Sequence, residues 1–410
     1  MVSGCVGLDA SAFFIQTLSI FTYTMKAFLM ACPPIPVVRI ALIGLGGRGM
    51  KTLERYAFIK GAEIRYLVDI DSSKLDCANQ KLLQTGRPLA QKLQGENAWH
   101  EVCKKADIDL VYICTEWKSH TPIAIEAMRN GKHVAVEVPA ATTISECWQL
   151  VHTAEETQRH LFMTENCCYD LFALETIEMN HRGFFGRITH CEGAYIHHLA
   201  MAPRHGGISD TRLNWMTHSC ALHGGNPYPT HGIGPIGQLL GFHRKDHMKS
   251  LVSITSRDVC NKLNHDVGHV NTSLIQTEKG VSILLQLDVT TPRPYNRLQT
   301  VCGTKAYVQK YPLPTFQTDS MDTAAIGDDA LRHMEAFATS PAAKEWLKGH
   351  ELGVPNEMNY AMDARLIYCL QNGFPLDIDV YDAAEWSCIA ELSKVSAKQG
   401  GKPVEVPRFY

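Results

Sequence analysis

The chain has 410 residues, of which 45% are hydrophobic and 20% charged, with a formal net charge of -3. That length exceeds one small core and points to two domains, and the near-neutral balance leaves no basic excess to hold nucleic acid. The 14 cysteines include the vicinal pair Cys167-Cys168 but no C-x-x-C, so they read as reduced thiols in cores rather than as a zinc site or disulfide framework.

Residues 1–35 are set apart as an N-terminal extension. Ala12 to Ala31 is largely apolar, yet Lys26 interrupts it and no basic residue precedes it, unlike a secretory signal. Leu29-Met30-Ala31-Cys32 faintly resembles a lipoprotein cleavage box, and Met25 is an alternative start. Localisation stays open, with the cytoplasm slightly favoured over export, and no membrane span is expected.

Residues 36–168 carry a βα rhythm. Val37 to Ile43 is a short apolar run that reads as a buried parallel strand. It leads into Gly44-Leu45-Gly46-Gly47-Arg48-Gly49, a helix-like stretch follows, and a second strand ends at Asp69, twenty residues past Gly49. Strand, glycines, helix and acid in that order predict a dinucleotide site. The glycines permit a tight turn and close approach of a pyrophosphate, and Asp69 suits a ribose diol, which favours NAD over NADP. Further strands are expected at Asp109–Cys114, His133–Val136 and Leu161–Met163. Pro122 is expected in a helix's first turn, and Thr143-Ile144-Ser145-Glu146 reads as a capping box. Trp117, His120, Glu137, Asn166 and Tyr169 lie just past strand ends, where ligands of such sheets collect.

Residues 169–410 change character. Strands are expected at Ile188–Ile196, Leu251–Thr255, Thr272–Thr277, Val281–Val289, Leu298–Cys302 and Ala306–Val308, with hairpin turns at Glu278-Lys279-Gly280 and Gly303-Thr304-Lys305. Met358–Leu370 and Tyr381–Ser396 read as helices. The fold class is therefore α/β: an N-terminal Rossmann doubly wound parallel sheet, then an α+β domain with a mostly antiparallel sheet, its last helices free to pack back on the first. Tyr228-Pro229-Thr230-His231-Gly232 presents a phenol, a hydroxyl and an imidazole on one rigid turn, and Pro292-Arg293-Pro294-Tyr295 is a second such loop. His197, His198, His218 and His223 lack ligand spacing, so no metal is expected.

The first lobe resembles the glucose-fructose oxidoreductase and inositol dehydrogenase superfamily. Members carry Glu-Lys-Pro where this chain has Glu137-Val138-Pro139. The missing lysine counts against the first alternative, a plain NAD-dependent sugar dehydrogenase; the second is a non-catalytic NAD-binding sensor. Within that superfamily the chain is similar to the NAD-dependent family 109 glycosidases, whose characterised members are α-N-acetylgalactosaminidases. The likeness rests on Gly44 to Gly49, Trp117 to His120, Glu137 to Ala141, Glu165 to Tyr169, Glu192 to His197, Gly225-Asn226, Tyr228 to Gly232, Asp288-Val289, Pro292 to Tyr295, Pro375 to Asp377 and Val380 to Ser387. It departs at Trp215-Met216, where the family suggests arginine after the tryptophan, and at Arg408-Phe409-Tyr410.

The resemblance implies NAD and a substrate carrying N-acetylgalactosamine, α-linked favoured, with a homodimer left open. It implies oxidation at C3, elimination across C2 and C1, water addition and re-reduction, an exception to the usual carboxylate pair. Tyr169 and His231 are the expected acid-base pair, one for the C2 proton and one for the C3 hydroxyl, with the roles interchangeable. Glu137 would border cofactor and sugar. The cofactor set is Gly44, Gly46, Arg48, Gly49, Asp69, Trp117, His120, Glu137, Val138 and Asn166. Tyr195, Tyr228, Pro229, Thr230, His231 and Tyr295 would line the sugar pocket.

Overall fold

The structure is a computed structural model that describes residues 32–199, 216, 219–220, 224–256 and 270–410. The N-terminal apolar stretch, Trp215, His218 and His223 lie outside them.

The first sheet has six parallel strands: β1 (Val38–Ile43), β2 (Ala62–Asp69), β3 (Gln91–Gln94), β4 (Leu110–Ile113), β5 (His133–Val136) and β6 (Leu161–Met163), in the order β3-β2-β1-β4-β5-β6. β1, β4, β5 and β6 are almost wholly buried, as continuous apolar runs between two helical layers must be. The order reverses between β1 and β4, which opens a crevice at the strands' carboxyl ends. The edge strand β3 is Gln-Lys-Leu-Gln and mostly exposed, so no apolar pattern announces it. Thr143 and Glu146 form the reciprocal capping box that opens the helix Ile144–Thr157. Pro122 sits inside the helix Trp117–Arg129 rather than in its first turn. Burial of Trp117, His120 and Thr121 draws the residues ahead of the proline into that helix.

The second sheet has nine strands. They are β7 (Ile188–Ile196), β8 (Met248–Thr255), β9 (Val270–Thr277), β10 (Ser282–Asp288), β11 (Asn296–Gly303), β12 (Ala306–Gln309), β13 (Thr315–Thr318), β14 (Ala325–Ile326) and β15 (Val404–Glu405). Their order is β14-β13-β12-β11-β7-β10-β9-β8-β15, antiparallel throughout except where β7 meets β10. On β9 and β10 buried and more exposed residues alternate, so one face takes the helices. The helix Thr230–Leu240 lies on that face and reaches the sheet through glycine: a Cβ on Gly193 would stand 2.3 Å from the Gly232 carbonyl oxygen.

The last helices reach across to the first sheet. Asp363, on the helix Glu357–Asn372, accepts from Arg55 Nε at 2.8 Å and from the Tyr112 hydroxyl at 2.9 Å. Glu391 accepts from the Ile144 backbone N–H at 2.7 Å. The read helix Tyr381–Ser396 is in fact two, Val380–Ser387 and Ile389–Lys398, jointed at Cys388. Among the described residues no helix is long and apolar enough to cross a membrane.

Arg55 and Asp363 have side-chain exposures of 3% and 0%. Removing one partner of such a buried pair strands the other charge. Asp363→Ala is expected to lower unfolding free energy by about 3 to 5 kcal/mol in urea titrations; a loss below about 1 kcal/mol would mean that water reaches Arg55.

Candidate active site

The turn after β1 holds the first half of the site. Gly44 has φ +90°, and a Cβ there would meet the Cys114 carbonyl oxygen at 2.7 Å. A Cβ on Gly49 would lie 2.0 Å from the Gly44 carbonyl oxygen, so only glycine lets the helix Gly47–Tyr56 start so close to the strand. Nothing lies within 4 Å of a Cβ on Gly46, which leaves the space above the helix N-terminus for a pyrophosphate. Asp69 ties the turn down: Oδ2 accepts from the Leu45 N–H at 2.7 Å and Oδ1 from the Asp71 N–H at 2.9 Å. These are the features a dinucleotide requires, and they fit the group.

Above this turn lies a cavity of about 1150 Å³. It is large enough for a dinucleotide and a sugar together. Gly44, Gly46, Arg48 and Asp69 border it on the glycine side. Trp117, His120, Glu137 and Val138 border it along the strand ends, and Tyr195, Tyr228 and His231 close the far side. Arg48 turns its Nε to Glu137 Oε1 at 3.0 Å and its Nη1 to Asn359 Oδ1 at 3.4 Å. Burial opposes the Arg48 charge, but Glu137 outweighs it and holds the guanidinium firmly protonated. The two His120 ring nitrogens face the Pro139 and Thr115 carbonyl oxygens at 2.8 and 3.1 Å. His120 therefore fastens two strand ends together, with its ring committed to backbone.

His231 is the centre of the far wall. Its Nδ1 lies 2.7 and 2.9 Å from the two Glu165 carboxylate oxygens, and its Nε2 lies 3.2 Å from the Tyr228 hydroxyl. Burial alone would depress the imidazole, but Cys167 and Glu165 beside it push it up to about 10. Burial opposes ionisation of Glu165, and the charged His231 holds its carboxyl below the ordinary range. Burial raises the Tyr228 phenol well above its usual value, so it stays protonated. The Tyr228 ring stacks on Trp117 at 5.7 Å and tilts against Tyr195 at 5.0 Å, making an aromatic wall beside the imidazole. Close packing holds this geometry: a Cβ on Gly234 would meet Glu165 Cγ at 2.8 Å, so the helix carrying His231 lies hard against the turn carrying Glu165.

The structure corrects one expectation outright. Tyr169 ends the short 3₁₀ turn Asn166–Tyr169 and is 2% exposed, away from the cavity lining. Its hydroxyl donates to Asp377 Oδ2 at 3.2 Å, and Arg365 holds the same carboxylate at 2.7 and 2.9 Å. The turn aims the ring into the core, so Tyr169 does not pair with His231. Burial, then Asp377, raises its phenol well above the ordinary value. Gly49, Asn166, Pro229, Thr230 and Tyr295 are also absent from the lining. Gly49 packs on Gly44, and Asn166 is buried with its Oδ1 3.6 Å from Cys167 Sγ. Pro229 and Thr230 start the helix that carries His231. Tyr295 is 44% exposed and stands edge-on to His197 and Tyr195 at 5.3 and 6.3 Å. Glu165 is the residue that sequence reasoning passes over. Its signal is its place two residues past β6, at the edge where Asn166 and Tyr169 are noticed. Met216 borders the cavity and packs against the apolar group of Trp117, Tyr195, Leu199 and Val289.

A reversed-order parallel sheet with this glycine turn, joined to an open sheet, defines the two-lobed NAD-binding oxidoreductase fold. Levoglucosan dehydrogenase in complex with NADH and levoglucosan shares it, with a TM-score of 0.71 at 17% identity over 90% of this chain and 99% of that one. An NAD-binding oxidoreductase from Klebsiella pneumoniae also scores 0.71, at 15% identity over 91% and 99%. Residues 38–165 match the family described as oxidoreductase family, NAD-binding Rossmann fold, and residues 169–410 match glycosyl hydrolase 109, C-terminal domain. Glycosyl hydrolase family 109 protein 2 of Phocaeicola vulgatus is 48% identical over 93% of this chain and 96% of its own length. An alpha-N-acetylgalactosaminidase of Bacteroides fragilis is 48% identical over 93% of both chains. The chain belongs to glycosyl hydrolase family 109, and it is an NAD-dependent glycoside hydrolase.

Two substitutions separate the cavity from its supports. Gly49→Ala is expected to weaken NAD binding by at least about tenfold in a fluorescence titration, since the added methyl must push the turn off the strand. Tyr169→Phe is expected to lower stability by about 0.5 to 1.5 kcal/mol and leave turnover within about twofold of the parent; collapse of turnover in a folded Tyr169→Phe protein would return that phenol to the chemistry.

Proposed function

We propose that this protein removes terminal N-acetylgalactosamine, α-linked, by oxidation, elimination, water addition and re-reduction, with His231 as the principal acid-base group. The observation that supports it most is one cavity bordered at one end by the open glycine turn and at the other by an imidazole braced on a buried carboxylate. The relative from Bacteroides fragilis carries that activity in its name.

When bound, NAD supplies a reversible hydride acceptor for the sugar's C3. Gly44, Gly46 and Asp69 would hold its pyrophosphate and ribose end, and Glu137, locked by Arg48, would border the cofactor and the sugar. Once C3 is a ketone its neighbour C2–H is acidic, and loss of that proton expels the group at C1. His231 faces the cavity with its orientation fixed by Glu165 and is held protonated at rest, so it must first release its Nε2 proton by way of Tyr228 before it can take the proton of the C3 hydroxyl or of C2. Tyr228, protonated and 3.2 Å from His231 Nε2, is placed to pass a proton between the imidazole and the departing oxygen. The Trp117 and Tyr228 faces suit the apolar face of a pyranose, and their burial excludes bulk water until the C1 bond has broken.

The test is release of p-nitrophenol from p-nitrophenyl α-N-acetylgalactosaminide in deuterated water by the protein as purified. Release with deuterium at C2 of the sugar, and without net NADH, is the expected result. Release without C2 deuterium points to direct displacement or a base shielded from solvent; if substrate deuterated at C2 also shows no isotope effect, the elimination route is overturned. His231→Ala is expected to cut turnover by at least about 100-fold while NAD remains bound; full activity in that variant would remove the imidazole from the chemistry.

A further inference from the structure

Glu165, Cys167 and His231 each offer one ligand-type atom, and the three atoms all lie within 4.8 Å of one another. Glu165 and Cys167 are 0% and 1% exposed, while His231 borders the cavity. A tetrahedral zinc ion spaces nitrogen, oxygen and sulfur ligands about 3.3 to 3.8 Å apart; His231 Nδ1 and Glu165 stand at 2.7 Å and would open slightly to admit it, and the thiol, within 4.8 Å of both, would close by about 1 Å. A thiolate, an imidazole and a carboxylate together select soft or borderline divalent cations over magnesium and calcium. Histidine spacing gave no hint of such a site, because its ligands come from the turn after β6 and from a helix more than sixty residues later. The other compact group among the described residues, His243 with Asp379 and Asp382, differs in kind. There the Arg244 guanidinium already bridges both carboxylates at 3.0 and 2.8 Å and occupies the cation's place.

We propose that Glu165, Cys167 and His231 form a binding site for a divalent cation of the zinc class, and that filling it switches the enzyme off by tying up the His231 imidazole. The switching half rests on the role given to His231 in the proposed function; the binding half does not. Entry of the cation displaces the proton between His231 and Glu165 and the thiol proton of Cys167. Both leave to solvent, and the Glu165 carboxylate keeps its charge. Three protein ligands leave a fourth position for water, as in open zinc sites. No electron moves, so removal of the cation by a chelator restores the enzyme.

The experiment uses the NAD-loaded full chain carrying Cys77→Ser, which removes a free thiol on the surface. Titration with cobalt(II) is expected to give a thiolate-to-cobalt charge-transfer band that saturates near one equivalent and is bleached by zinc. Adding Cys167→Ala should abolish the band and raise the zinc needed for half-inhibition of p-nitrophenol release by at least about tenfold. Cys167→Ser replaces the alanine variant if the latter does not fold. A parent protein with no band, or a band indifferent to Cys167, overturns the site. A Cys167-dependent band in a protein that still turns over with cobalt bound keeps the site and overturns the switching.

Discussion

The contact between Glu165 and His231 is the constraint on which the site depends. A carboxylate with no exposed surface is stable only beside a partner that compensates its charge, and the imidazole at 2.7 Å is that partner. The pair behaves as a unit, each member holding the other charged against the opposing effect of burial. It fixes which His231 nitrogen faces inward and so presents the other to Tyr228 and the cavity. The helix that delivers His231 gains little from intrinsic propensity, with Gly232, Gly234 and Gly237 within two turns. Those glycines instead let it press against β7, Glu165 and Trp386 at distances no larger residue allows.

The cofactor side is held by a second charge pair. Arg48 belongs to the glycine turn after β1 and Glu137 to the end of β5, so their contact ties those two strand ends together across the end of β4. Asn359 adds a bond from the C-terminal part of the chain. Arg55 and Tyr112 meet Asp363 one turn further along the same helix. The glycine turn and the strand beside it are thus braced by one helix from the C-terminal part of the chain.

Much of this was legible in the residues. Continuous apolar runs between two helical layers gave β1, β4, β5 and β6, because burial dictates composition, and the Glu278-Lys279-Gly280 turn between two strand-like runs gave β9 and β10. The dinucleotide turn was legible because its physics is local: a positive φ, a close approach and an acid at the next strand end all fall within about thirty residues. The short strands β3, β13, β14 and β15, at or next to the sheet edges, were missed, since strands of two to four residues are too short to carry a pattern.

By itself, then, the sequence determined the α/β class and the NAD cofactor, and it singled out His231, Tyr228 and Tyr195, which the fold brings to one cavity, each carried by a local motif or by burial along one element. Only the tertiary structure decided that Glu165, not Tyr169, is the partner of His231. Both residues follow β6 within a few positions, and both have side chains suited to proton transfer. Which one meets an imidazole sixty-six residues away depends on where a 3₁₀ turn points each side chain and on how closely a glycine-lined helix packs over it. Those are long-range packing facts that no window of sequence contains.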